Sequence, residues 1–271
     1  MKGIRKIVKA FIVAFSIYSK IPMPRFNWES EDMKYHLCFF PWVGAVIGLT
    51  QWLWYEICAG KGLGSLVFTM IALAIPVLIT GGFHLDGFMD TCDALHSYQD
   101  REKKLEILKD PHIGAFAVIC VAAFLCITAG AVAAIYDAVN EAGAAFWDGS
   151  LTILVPCLCF FLSRALSGIS VITMKGAKKK GMLQTFSDTA VKTTVLVILI
   201  SELILCATGM ILLSPVLGGA AVVTAGLCYA YYYFMSKKQF GGITGDLAGY
   251  FVSLTEAACM VVLAIITILF A

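Results

Sequence analysis

The chain has 271 residues, of which 60% are hydrophobic and 14% charged, with a net charge of +2. Its mean hydropathy is +0.86. A soluble domain is closer to half apolar and a quarter charged, so this balance excludes a disordered chain, a coiled coil and an ordinary soluble enzyme. It predicts an all-α, polytopic membrane helix bundle, and the near-neutral charge offers no footprint for nucleic acid.

In chain order, the first apolar run, Ile7–Tyr18, is too short to span and reads as an interfacial helix within a membrane-surface segment covering residues 1–38. Four basic residues (Lys2, Arg5, Lys6 and Lys9) precede or enter it, and no small-residue cleavage site follows, so it is not expected to be a removed leader. About 20 apolar residues make one span. On that measure seven spans are predicted: Phe39–Ile57, Gly64–Phe83, Ile113–Tyr136, Leu151–Thr173, Thr194–Leu213, Val216–Met235 and Leu247–Phe270. Together they form one integral-membrane domain over residues 1–271. Of the 20 Lys and Arg residues, only Lys61 falls in the alternate set of loops. The positive-inside rule then puts the N-terminus in the cytoplasm and the C-terminus outside. The loop after the third span carries Asp137, Glu141 and Asp148 and no base, which agrees with an outer position. The 10 cysteines lie mostly inside apolar runs and read as small buried hydrophobes, not as zinc ligands or disulfides.

Residues 84–112 form a polar stretch between the second and third spans. Asp86, Asp90 and Asp93 stand at i, i+4 and i+7. At about 100° per residue they project from one helical face within about 60° of each other. Three carboxylates so close repel one another and raise each other's pKa, unless a divalent cation lies between them. Oxygen ligands suit Mg²⁺, which keeps positions open for water and phosphate oxygens. A solvated helix face at the membrane edge is the bland alternative. Further on, Asp110 and His112 are either a cap with an interfacial histidine or substrate contacts. The run Gly241–Asp246 is either a turn or a close backbone approach to a ligand, with Asp246 joining a metal or positioning a hydroxyl. Arg164, Glu202 and Glu256 each lie about nine residues inside a span, some 13–14 Å deep at about 1.5 Å per residue. Charges at that depth usually face the bundle interior. Arg164 is expected to pair with Glu256 or Glu202, or to reach a phosphate, the two glutamates otherwise supporting the site. Lys178, Lys179 and Lys180 read as a topology signal and a contact for lipid headgroups, or else for an anionic substrate.

The stretch Gly81-Gly82-Phe83-His84-Leu85-Asp86-Gly87-Phe88-Met89-Asp90-Thr91-Cys92-Asp93, followed by Leu105–Gly114, resembles the cobalamin synthase (adenosylcobinamide-GDP ribazoletransferase) family. Ser19–Pro24, Phe40–Gly44, Ser163-Arg164 and Gly241–Asp246 extend the resemblance along most of the chain. The chain departs from the family at Leu85, where many members carry an acidic residue, and at Ala94, where they carry glycine. The resemblance implies a transferase that joins adenosylcobinamide-GDP to α-ribazole or its 5′-phosphate with Mg²⁺ and releases GMP. Asp86, Asp90 and Asp93 would then hold the metal on the diphosphate. Asp93 or Asp90 would take the proton of the attacking hydroxyl, and His84, Asp110, His112, Arg164 and Asp246 would contact substrate. The site would face the cytoplasm from the inner membrane, within a homo-oligomer or a complex with neighbouring corrinoid enzymes. A CDP-alcohol phosphotransferase fits less well, because its motif wants an aspartate at Phe83 and an arginine well before Arg101. A secondary transporter fits less well too, since no internal repeat is evident and the acidic cluster sits at a loop boundary.

Overall fold

The computed structural model describes residues 2–140, 149–177 and 182–270. Glu141 and Asp148 of the acidic loop, and the triplet Lys178, Lys179 and Lys180, lie outside the described residues. The helices are α1 (Lys2–Tyr18), α2 (Phe40–Lys61), α3 (Ser65–Thr80), α4 (Phe83–His96), α5 (Arg101–Ile107), α6 (Ala115–Asn140), α7 (Gly149–Thr173), α8 (Met182–Thr189), α9 (Lys192–Leu213), α10 (Pro215–Met235) and α11 (Gly245–Phe270). A 3₁₀ turn, His36–Phe39, precedes α2, and a π-helical turn, Ser236–Phe240, follows α10. Among the described residues there is no strand, only one parallel bridge between Gly176 and Ile243.

Six helices are long and apolar enough to cross a membrane unaided: α2, α6, α7, α9, α10 and α11. The second predicted span, Gly64–Phe83, is the one that takes a different form, as half of a bent pair that brings the number of spans to seven if the pair is taken as one. Its helix, α3, has 16 residues, about 24 Å at 1.5 Å per residue, and ends at Gly81 instead of Phe83. Only together with α4 does it pass as a span, and the two are bent by 96°. Gly81 and Gly82, at φ 74° and 82°, make that bend. Two consecutive left-handed residues stop one helix and start the next in a new direction, which side chains with a Cβ resist. We describe α4 as lying across the end of the bundle, outside the spans.

The central helix is α7: 78% of its apolar window is buried, against 17% for α6 and 22% for α9. Lipid gives apolar helices little reason to associate, so close van der Waals contact must hold them. Gly44 and Gly48 supply it on α2, where an added Cβ would lie 2.1 Å from the Phe160 carbonyl oxygen and 2.4 Å from that of Cys157 on α7. The remaining exposed apolar side chains, such as Leu78, Ile127, Leu205 and Leu212, face outward as a lipid-contacting surface requires. Described cysteines form no disulfide, and seven of the ten are not fully solvent- or lipid-exposed cases but buried; Cys126 is exposed on α6, against the expectation that all are buried.

The basic loops meet at one end of the bundle. Lys20 N–H donates to the Ile79 carbonyl, Val191 N–H to that of Lys34, and Ile243 N–H to that of Lys175. The interfacial helix α1 packs there through Ala10, Val13, Ala14, Phe15 and Tyr18, leaving Ile7 and Val8 outside.

Candidate active site

The site is built where α4 crosses the start of α11. A Cβ on Gly87 would lie 2.6 Å from the Asp246 carbonyl oxygen, and one on Gly249 would lie 3.1 Å from that of His84. Two glycines, one on each helix, therefore let the backbones touch at the crossing. That contact is why glycine follows Asp86, and it brings Asp246 beside the α4 carboxylates.

Asp86 and Asp246 line a cleft of about 510 Å³. Asp90 lies near both. Burial and then the charges of Asp86, Asp246 and Asp93 push its pKa up to about 6. Asp246 stands in the first turn of α11, where the helix dipole favours an anion, and Thr244 Oγ donates to its Oδ2 at 3.3 Å.

Asp93 is placed differently from the sequence expectation. Gly114 N–H donates to its Oδ2 at 2.8 Å and Ala117 N–H to its Oδ1 at 2.9 Å. Both oxygens thus cap the start of α6, satisfying amides that have no partner within that helix. The fit is tight: a Cβ on Gly114 would sit 2.4 Å from either carboxylate oxygen. The helical wheel put Asp93 with its two neighbours; its charge does act on Asp90, its oxygens are engaged by α6, and α11 adds Asp246 to the group.

The Gly241–Asp246 loop is held from two sides. Ile243 exchanges backbone bonds of 2.9 Å with Lys175 and Ala177. Arg101 Nε donates to the Phe240 carbonyl at 2.6 Å, and Lys104 Nζ to Gln239 Oε1 at 2.6 Å. Arg101 and Lys104 were not singled out in the sequence, where they read as an ordinary charged face; the only hint was a basic pair three residues apart on a short helix.

The donor set suits magnesium: all oxygen and all anionic, with Asp86 and Asp246 lining the cleft and Asp90 close to both. Among the described residues no three His, Cys, Asp or Glu side chains converge as a ready-made metal cage. Magnesium is commonly held by one or two carboxylates, with water and phosphate oxygens completing its shell, and Asp86, Asp90 and Asp246 can serve in that way.

The comparisons bear on which chemistry this is. The family model for cobalamin-5-phosphate synthase matches residues 10–264. A Lachnoclostridium phytofermentans protein named adenosylcobinamide-GDP ribazoletransferase is 40% identical over 249 residues, 91% of this chain and 89% of the relative. Proteins of the same name from Clostridium perfringens and Pseudomonas fluorescens are 30% and 31% identical, over 95% and 94% of this chain and 98% and 99% of theirs. No solved structure matches the chain. The chain belongs to the cobalamin-5-phosphate synthase family.

The blocks shared with the cobalamin-5-phosphate synthase family meet around the cleft. Lys20, of the Ser19–Pro24 block, lies across Gly81, where an added Cβ would be 2.3 Å from its Cε. Phe40, His84, Thr244 and Asp246 all line the cleft. Arg164, 1% exposed, lines instead a smaller inner cavity of about 120 Å³ together with Glu256 and His84. Its Nη1 donates to Glu256 Oε1 at 2.5 Å and to the Phe160 carbonyl at 2.9 Å, and Ser163 Oγ also donates to Glu256. Of the two pairings expected for Arg164, the structure shows Glu256. Glu202 lies apart and accepts from Trp42 Nε1 at 2.9 Å. Asp110 and His112 form an exposed pair before α6, with Asp110 Oδ1 2.7 Å from His112 Nδ1 and accepting the His112 N–H at 3.0 Å.

Proposed function

We propose that this protein is a magnesium-dependent adenosylcobinamide-GDP ribazoletransferase, joining adenosylcobinamide-GDP to α-ribazole or its 5′-phosphate and releasing GMP. The observation that carries this reading is the meeting of Asp86 and Asp246 in one cleft with Asp90 close enough to feel both charges, where neither Asp86 nor Asp90 has an ion-pair partner among the described residues. Uncompensated carboxylates are costly, and a dication with a bound diphosphate relieves that cost. The curated relatives' name supplies the substrates.

Bound magnesium would neutralise charge on the diphosphate oxygens. The chain's own part follows from the geometry. Asp86 and Asp246 approach from two helices and orient the diphosphate between them. The hydroxyl oxygen of the ribazole attacks the corrinoid-side phosphorus. The bond from that phosphorus to the bridging oxygen breaks, and GMP leaves with that oxygen. The hydroxyl proton goes to a carboxylate of the rim, and Asp90, between the other two, is placed to take it. Asp93, engaged by α6, holds the floor of the site and leaves that role to its neighbours. The basic residues of the surrounding loops support a position for this end of the bundle on the cytoplasmic side of the inner membrane, where nucleotide substrates are found.

The test is GMP release by the purified protein given adenosylcobinamide-GDP, α-ribazole and Mg²⁺, with a chelator as control. Release that needs both substrates and stops with chelator supports the assignment. Release of CMP from a CDP-linked lipid precursor, with no GMP from adenosylcobinamide-GDP, or full turnover in Asp90→Asn, overturns it.

A further inference from the structure

The cleft has a second end that the carboxylates do not explain. Besides Asp86 and Asp246 its lining includes four aromatic rings: Tyr18, Phe40, Phe83 and Phe186. These rings come from α1, α2, α4 and α8, four elements far apart in the chain. Tyr18 stands among the other three, with ring centroids 4.3 Å from Phe40, 6.3 Å from Phe83 and 6.1 Å from Phe186.

The wall is held in place from behind. His36 is fully buried, and its Nδ1 donates to the Met33 carbonyl. That tautomer leaves Nε2 as an acceptor, so the Tyr18 hydroxyl donates to it at 3.2 Å. The His36 ring also meets Phe186 edge-on at 4.8 Å. A tyrosine and a phenylalanine are thus locked before any ligand arrives.

His84 supplies an independent sign of a ligand. It is 7% exposed, lines the cleft, and both its ring nitrogens are buried with no partner. Its ring is 3.8 Å from Phe83 and 5.7 Å from Phe40. A buried imidazole with an idle donor and an idle acceptor is unfavourable unless something polar reaches it.

We propose that this aromatic end is a stacking site for the flat heterocyclic base of a nucleoside, with His84 hydrogen-bonding the base edge or its sugar while the phosphate end lies toward Asp86 and Asp246. Aromatic rings accept any base by its face, and a polar group at the back adds orientation. This rests on the reading of the acidic rim as the diphosphate site. Two substrates carry such a base: the guanosine half of the diphosphate, and the ribazole.

Two measurements on the purified full chain separate them. Equilibrium binding is measured for GMP and for α-ribazole, each alone, and KM for each substrate is measured by GMP release. The variants are Phe186→Leu and Phe83→Leu. Phe83 is 38% exposed at the lip, so its replacement leaves folding intact. Each variant is expected to weaken one nucleoside by about tenfold and to raise KM for the substrate that carries it, with a smaller change in kcat, as loss of one stacking ring does. Phe186→Tyr should restore the affinity, and His84→Phe should weaken the same nucleoside. Weakening of GMP assigns the site to the guanosine half; weakening of α-ribazole assigns it to the acceptor. If both nucleosides bind Phe83→Leu and Phe186→Leu as tightly as the wild type, or both weaken equally with a fall in Tm, the stacking site is wrong. Nucleoside binding that responds to the variants in a protein that releases no GMP keeps the stacking site and removes the transferase. GMP release with both KM values unmoved does the reverse.

Discussion

Two polar regions share the His84 ring and treat charge in opposite ways. In the inner cavity Arg164 meets Glu256, Ser163 and a backbone carbonyl, so opposite charges within the membrane span are paired. At the cleft, Asp86 and Asp246 come together as like charges, with Asp90 close by. Deep in a bilayer a lone charge has no solvent to fall back on, which favours such pairing. At the end of the bundle water and a cation are within reach, so like charges can be kept for a ligand. The contrast teaches that depth alone does not mark a candidate site: the deeper charges are paired across helices, and the shallower ones are gathered with like charge.

The comparison breaks first on activity. Asp90→Asn should lower GMP release by at least about 100-fold, the scale of losing one charge-stabilising group, while the protein still inserts. Asp86→Asn and Asp246→Asn should do the same, and chelation should match them. Next comes stability. Arg164→Ala leaves Glu256 buried and alone, and should cost about 3–5 kcal/mol, read as a fall in Tm. Replacing both partners with methionine should recover most of that loss, with KM for both substrates near that of the wild type. A large rise in KM in a well-folded Arg164 variant would move this residue from the ion pair to the substrate.

A smaller effect separates Asp93 from its neighbours. Asp93→Ala removes the cap of α6, worth about 0.5–2 kcal/mol, and should lower Tm more than it lowers activity. Asp90→Asn should act the other way. The pKa of Asp90 in the folded chain, about 6, exceeds its ordinary 3.8, so the folded state binds its proton more tightly than the unfolded one. Its contribution to stability is therefore present at low pH and is lost as pH rises through about 6. Without magnesium, Asp90→Asn should melt above the wild type at pH 7, and the gap should close as pH falls toward 4. Thermal melts across that range, in chelator, give the answer.

Much of the fold was legible because lipid imposes a simple rule: backbone groups must pair within a helix, so a long apolar run is a span. The six long apolar helices, the short helix α1 and the α4 helix that carries Asp86, Asp90 and Asp93 follow from runs and periodicity. The 96° bend was harder to see, because the apolar run continues through Gly81 and Gly82 to Phe83. Arg101 reads as a surface charge until its Nε is found on the Phe240 carbonyl. Tyr18, Phe40 and Phe186 look like ordinary apolar residues, since nothing local says that α1, α2 and α8 converge.

Composition and pattern by themselves determined that the chain is a membrane bundle with an acidic, glycine-marked segment at its basic end. Only the tertiary structure decided which carboxylates lie together. A helical wheel knows its own helix and nothing of the neighbours. The open amides of α6 claim Asp93, and the glycine crossing of α4 on α11 brings Asp246 to Asp86 and Asp90.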